Sequence, residues 1–177
     1  MQESSGLPTL LNLLETPGLA DLISKGRPGI QSESALRQEV GAVLSGPKQP
    51  LVLAAILLWH DHSDAAHRIV QDVHTPDGSL LHAILHRREP DFGNANYWFR
   101  RCERHPSFTA LARQAQPLLT RLGRAGSAVI SHGGWNGSAF VDLVEQVAES
   151  GDRNAEELLK QIQKLEFSSF LEEFYAR

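Results

Sequence analysis

Pro50-Leu-Val-Leu-Ala-Ala-Ile-Leu-Leu-Trp-His60 is the stretch on which the fold turns. Proline at its start suits the first position of a helix, where a missing N–H costs nothing. The nine residues Leu51 to Trp59 carry no polar face. A helix apolar all round has to sit inside a protein. Nine residues is about half of what a membrane span requires, so the run reads as the central helix of a water-exposed fold and predicts no membrane crossing.

Downstream, the punctuation is that of further helices. Ser63 or Asp64 can cap one running to Val73, and Thr75-Pro76-Asp77 starts another that Pro90 must end, because the residue before proline resists helical torsion. Asp91 or Asn94 opens a helix carrying Tyr97, Trp98 and Phe99. His105-Pro106 begins a long one with Phe108, Leu111, Ala115, Leu118, Leu119 and Leu122 as its buried stripe. Pro117 inside that stripe predicts a kink or a split. From Gly123 to Gly137 five glycines predict a loop, with Ala128-Val129-Ile130 as an isolated strand-like run. Asn136 and Asp152 then cap two last helices.

Upstream, Leu7–Glu15 and Gly18–Ser24 read as short helices, with Thr16-Pro17 starting the second. Gly26–Gly29 is a break, and Ser34–Leu44 is a helix stopped by Gly46-Pro47. Ala55-Ile56-Leu57 recurs as Ala83-Ile84-Leu85, and Asp64-Ala65 is echoed by Asn94-Ala95, the pattern of paired helices repeating about every 30 residues. The expected fold is all-α: one domain over residues 1–177, built of antiparallel helical hairpins. Central hairpins occupy 50–122, the glycine-rich loop 123–137 and the C-terminal helices 138–177.

Composition sets the limits on function. The chain has 177 residues, 41% of them hydrophobic and 21% charged, which is ordinary for a globular domain. A net charge of -4 excludes a dedicated nucleic-acid binder of the usual basic kind. One cysteine, Cys102, excludes an internal disulfide framework and a zinc site of several thiolates. Beside Arg101 it reads as an idle or buried thiol, since no histidine is tied to it by motif. Met1-Gln-Glu-Ser-Ser-Gly6 has neither the basic start nor the apolar core of a secretory signal, so a cytoplasmic location is expected.

The averages conceal one unusual corner. Six of the eight histidines fall between His60 and His86, and eight arginines with no lysine lie between Arg87 and Arg124. His82, His86 and Glu89 stand at i, i+4 and i+7, within about 60° of one another on a helix. Two histidines four apart on one helix can offer two imidazoles to a divalent transition metal, with Glu89 as third ligand or base. The place where helical zinc proteases carry their glutamate is Ala83 here, so that motif is incomplete. Arg87 supplies a planar fork for a carboxylate or phosphate, and Asp91, Asn94 and Trp98 add polar groups and a stacking face around the proline-broken corner. His60, Asp61, His62, Asp64 and His67 form a second candidate, equally readable as a solvated turn, while His74, His105 and His132 flank turns.

The segment His82-Ala-Ile-Leu-His-Arg-Arg-Glu-Pro-Asp91, followed by Asn94-Ala-Asn-Tyr-Trp98, resembles a family of uncharacterised small helical proteins with the pattern His-Ala-x-x-His-Arg-Arg-Glu-x-Asp, then Asn-Ala-x-Tyr-Trp. The likeness extends back through Leu58-Trp-His-Asp61 and Ala66-His67 and forward to His105-Pro106, about a third of the chain. It implies a helical fold and carries no activity with it. The piece Asn94–Arg101 also looks like the second helix of a tetratricopeptide-like repeat, which implies a scaffold. Three functions follow as expectations. The first is a pocket of His82, His86, Arg87, Glu89, Asp91, Asn94 and Trp98 for a polar or anionic small molecule or a peptide. The second is a metal-dependent hydrolase on His82, His86 and Glu89. The third is an interaction scaffold whose polar cluster is structural.

Overall fold

Most intervals between the chain's stop signals close into one helix in the computed structural model, which describes residues 6–177 apart from 103 and 132. The order is α1 (Gly6–Asn12), α2 (Glu33–Val43), α3 (Gln49–Trp59), α4 (Ser63–Val70), α5 (Pro76–Arg88), α6 (Phe92–Arg101), α7 (Ser107–Arg121), α8 (Gly123–Ser127), β1 (Ile130–Ser131), β2 (Gly134–Trp135), α9 (Gly137–Ser150) and α10 (Arg153–Ala176). The fold is all-α. Among the described residues no helix is long and apolar enough to cross a membrane.

Side chains close four of the helix starts at which the sequence offered a cap. That of α4 is not among them: its N-cap is His62, without a side-chain cap, and Ser63 and Asp64 lie inside the first turn. Thr75 accepts a hydrogen bond from Gly78 N at α5, Asp91 from Asn94 N at α6, Asn136 from Ala139 N at α9 and Asp152 from Asn154 N and Ala155 N at α10. Each such cap satisfies donors that the first turn leaves unpaired and contributes about 1 kcal/mol.

The core is one continuous cluster of apolar side chains centred on α3 and α5. Every residue from Leu51 to Trp59 is buried, as a helix without a polar face requires. From Asp77 to Arg88 α5 is buried throughout, although its sequence is far more polar. It packs against α3, α4 and α6; α6 in turn meets α9, and α7 meets α10. The α6–α9 approach depends on Gly137, where a Cβ would lie 2.2 Å from Phe99 Cδ1. Ala55–Leu57 and Ala83–Leu85 occupy matching positions in α3 and α5, and Asp64-Ala65 and Asn94-Ala95 lie in the first turns of α4 and α6.

Three expectations are corrected. Residues 18–24 are irregular rather than helical. Gln163 Nε2 donates to Ala20 O and Asp21 O, Arg88 Nε donates to Asp21 O, and Ser24 N donates to Arg88 O. Distant side chains thus supply the partners that helical hydrogen bonds would have given, and Ala20 and Leu22 still reach the core. The glycine-rich segment is not a plain loop: it holds α8 and a two-stranded antiparallel ladder pairing Ile130 with Trp135. The strand-like run therefore has a partner, supplied by a turn through Gly133 at φ 77°. Finally, α7 is not split: it continues as one helix through Pro117. Met1–Ser5, Glu103 and His132 lie outside the described residues.

Candidate metal centre

The site forms where α4 lies against α5. The two helices are in direct contact, and Ala65 and Ala66 on α4 and Ala83 on α5 are buried. His67, from the middle of α4, then reaches the face of α5 that carries His82 and His86. One ring nitrogen from each of the three histidines lies within 4.8 Å of the other two. His67 Nε2 and His82 Nε2 are 3.1 Å apart. Zinc–nitrogen bonds of about 2.0–2.1 Å at tetrahedral angles separate ligand nitrogens by about 3.4 Å, so the cluster is near the dimensions of a mononuclear centre.

The rings form a stack. Trp98, from α6, lies on His82 with centroids 4.2 Å apart and planes at 18°, and His82 lies on His86 at 4.8 Å and 18°. His67 closes the group edge-on, at 5.0 Å from His82 and 5.7 Å from His86. Asn94 Nδ2 lies 3.1 Å from His86 Nε2 and fixes that ring's orientation. On the other edge of the ring, Nδ1 faces Glu89 Oε2 at 3.6 Å and Asp91 Oδ2 at 3.9 Å. Among the described residues neither His82 Nδ1 nor His86 Nδ1 has a hydrogen-bond partner, though both are buried.

Burial pushes the His82 imidazole down to about 4, helped by the neighbouring His86 and His67. Burial also lowers His86, with His67 adding to the effect and Asp91 opposing it. Both rings are therefore neutral at pH 7, the form that binds metal ions. Glu89 is raised, first by burial and then by Asp64 and Asp91, against the pull of His67.

Of the residues expected at the site, His82, His86, Glu89, Asp91, Asn94 and Trp98 come together. Arg87 does not. One residue beyond His86, its side chain leaves α5 about 100° away. It donates through Nη1 to Glu166 Oε1 at 3.0 Å and through Nη2 to Gln163 Oε1, with no exposed surface on either member of the Arg87–Glu166 pair. Arg88, a further residue around, is sealed against Asp61, Leu58 O and Asp21 O. The arginine fork expected to hold an anion is thus occupied from within.

The third group brought to His82 and His86 is His67; Glu89 stands behind His86, facing its free edge. His67 comes from the second candidate stretch, of which Asp64 also stays close, near Glu89, while His60, Asp61 and His62 turn elsewhere. His60 uses both ring nitrogens, toward Leu13 O and Gln31 N, and His62 meets Gln31 O. Asp61, in a left-handed turn at φ 63°, binds Arg27 and Arg88. His105 bridges Asp77 and Ser107 in the interior. Cys102 is buried, and burial, with Glu166 adding to it, pushes its thiol up to about 12, so it is no nucleophile. Comparison of the chain with protein-family models, with curated proteins and with solved structures finds no match.

Proposed function

We propose that this chain is a metal-dependent hydrolase whose divalent transition ion is held by His67, His82 and His86. The observation that carries the reading is the convergence of three imidazoles from two helices on one small volume, with His86 Nδ1 buried and, among the described residues, without a hydrogen-bond partner. Three imidazole nitrogen donors suit zinc and its neighbours and leave coordination positions open for water. Such an ion supplies the acidity that turns bound water into a nucleophile near neutral pH.

The surroundings fit a cation. Asp64, Glu89 and Asp91 flank the cluster, and among the described residues none of them is ion-paired with lysine or arginine. Three carboxylates without a lysine or arginine partner beside the cluster leave a local negative charge that a divalent ion would offset. Trp98 shields His82 on the opposite side. The polar ligand expected for this corner is, on this reading, the substrate.

The test is metal content. Protein dialysed against zinc is expected to retain one equivalent, and His67→Ala is expected to lose it. Zinc at about a hundred times its dissociation constant should stabilise the wild type by about 2.7 kcal/mol. A protein that retains no zinc, manganese, cobalt or iron and gains no thermal stability from them refutes the proposal.

A further inference from the structure

Glu89 belongs to two places at once. Its Oε2 lies 3.6 Å from His86 Nδ1, a nitrogen without a hydrogen-bond partner on a side chain only 9% exposed. The same residue lines a cavity of about 660 Å³ between the last turn of α5 and the first turn of α4. The cavity wall also includes Glu33, Asp61, Asp64 and Arg68. Asp61 is neutralised by Arg27 and Arg88, and Glu33 is held by Arg37 with Arg68 at 3.8 Å. Two carboxylates of the wall, Asp64 in the first turn of α4 and Glu89 at the C-terminal end of α5, have no lysine or arginine partner among the described residues.

We infer that this cavity is the substrate site of the centre, that Glu89 is the general base between the two, and that the substrates are esters or amides bearing an ammonium group beside the scissile acyl bond. This rests on the metal centre proposed above. The placement supports each part. Glu89 is in reach of His86 on one side and of the cavity on the other, so a water bound between them has a carboxylate beside it. Asp64 belongs to the same cavity wall, where a positive group of the substrate finds a carboxylate without a lysine or arginine partner.

The step balances with water alone. A water activated at the centre gives one proton to the Glu89 carboxylate while its oxygen bonds to the acyl carbon. The bond from that carbon to the amide nitrogen or ester oxygen then breaks. The proton on Glu89 passes to the departing amine or alcohol, leaving a carboxylic acid and a regenerated Glu89.

The experiment uses the full chain loaded with one equivalent of zinc and two probes, alanine p-nitroanilide and its N-acetyl derivative. The free-amine probe is expected to be hydrolysed with a kcat/KM about ten-fold or more above the acetylated one, the scale of one charge-assisted hydrogen bond. Glu89→Gln is expected to keep one zinc per chain and lower kcat by about 10² to 10⁴, the usual contribution of a general base. Asp64→Asn, at an exposed position, should shrink the preference for the free amine by raising its KM. Equal rates on both probes, an unchanged kcat in Glu89→Gln, or a zinc-loaded chain inert to both probes overturns the inference and leaves the metal centre standing. A chain that binds no metal refutes the centre itself.

Discussion

Replacing Arg87 by methionine separates a bracing role from a ligand-binding one. Its guanidinium is fully buried, bonded to Glu166 and Gln163, and its Cζ lies 4.7 Å from the Phe140 ring and 5.9 Å from that of Phe99. Methionine fills much of the same channel but leaves the Glu166 carboxylate buried without its cation. Breaking one side of such a pair costs about 3–5 kcal/mol, a large part of the roughly 5–15 kcal/mol that holds a domain folded. For a chain of this size each kcal/mol moves the melting temperature by about 2–4 °C, so Arg87→Met should melt about 6–20 °C below the wild type. The double variant Arg87→Met/Glu166→Leu removes the stranded charge and should recover a substantial part of that loss. Zinc affinity, measured by calorimetry below the melting transition, should change little, because Arg87 leaves α5 on a different side from His82 and His86. A variant that melts within about 1 °C of the wild type, or one that folds normally but loses zinc, refutes the bracing role.

Acid should act through the buried aspartates. Burial alone would raise Asp61, but Arg88 and Arg27 outweigh it and hold its carboxyl below the ordinary range. The contribution is therefore present above the unfolded value, about 3.9, and is lost as pH falls through the lower folded one. Urea midpoints should drop steeply below about pH 4, and Asp61→Asn should flatten that drop while lowering stability at pH 7; an unchanged profile sinks the assignment. Cys102, with its thiol pushed up to about 12, should react with iodoacetamide far more slowly in the folded protein than in urea; equal rates would show that it is not buried. His82→Leu should abolish zinc binding yet leave the metal-free protein close to the wild type in stability, since it removes a buried nitrogen with no partner together with the single contact of Nε2 with His67. Marked destabilisation without metal would instead favour a structural role for the cluster.

The helices were legible because their boundaries are chemical. Thr75-Pro76, Asp91, Asn136 and Asp152 each place an oxygen where an unpaired N–H must be met, and those caps form. The irregular run through residues 18–24 was not legible, since its carbonyls are satisfied by Arg88 and Gln163 from distant parts of the chain. At the site, the i, i+4 spacing brought His82 and His86 together correctly, but adjacency in sequence misled for Arg87. On a helix the next residue points about 100° away, and the angular argument that united His82, His86 and Glu89 also separates Arg87 from them. His67 was named in the wrong company. Its proper neighbours followed only from laying α4 along α5, which the period near 30 residues implied without giving the register.

The two arginines that turned out not to touch the cluster explain why it can exist. Arg87 ties one side of the last turn of α5 to α10 through Glu166, and Arg88 ties another side to the turn after α3 through Asp61. Trp98 presses on His82 from α6, and Asn94 meets His86. Held from several directions, the two imidazoles of α5 have little freedom to turn toward other partners, and their unsatisfied nitrogens are retained at a cost of about 1–3 kcal/mol each. A purely structural cluster of histidines has no reason to keep that cost, because rotation of the rings or replacement by leucine would remove it. A metal ion returns more than that amount on binding, and it does so only if the ligands are already in place. On the metal-centre proposal, the rigidity that the arginines impose is what three imidazole ligands would require before an ion arrives.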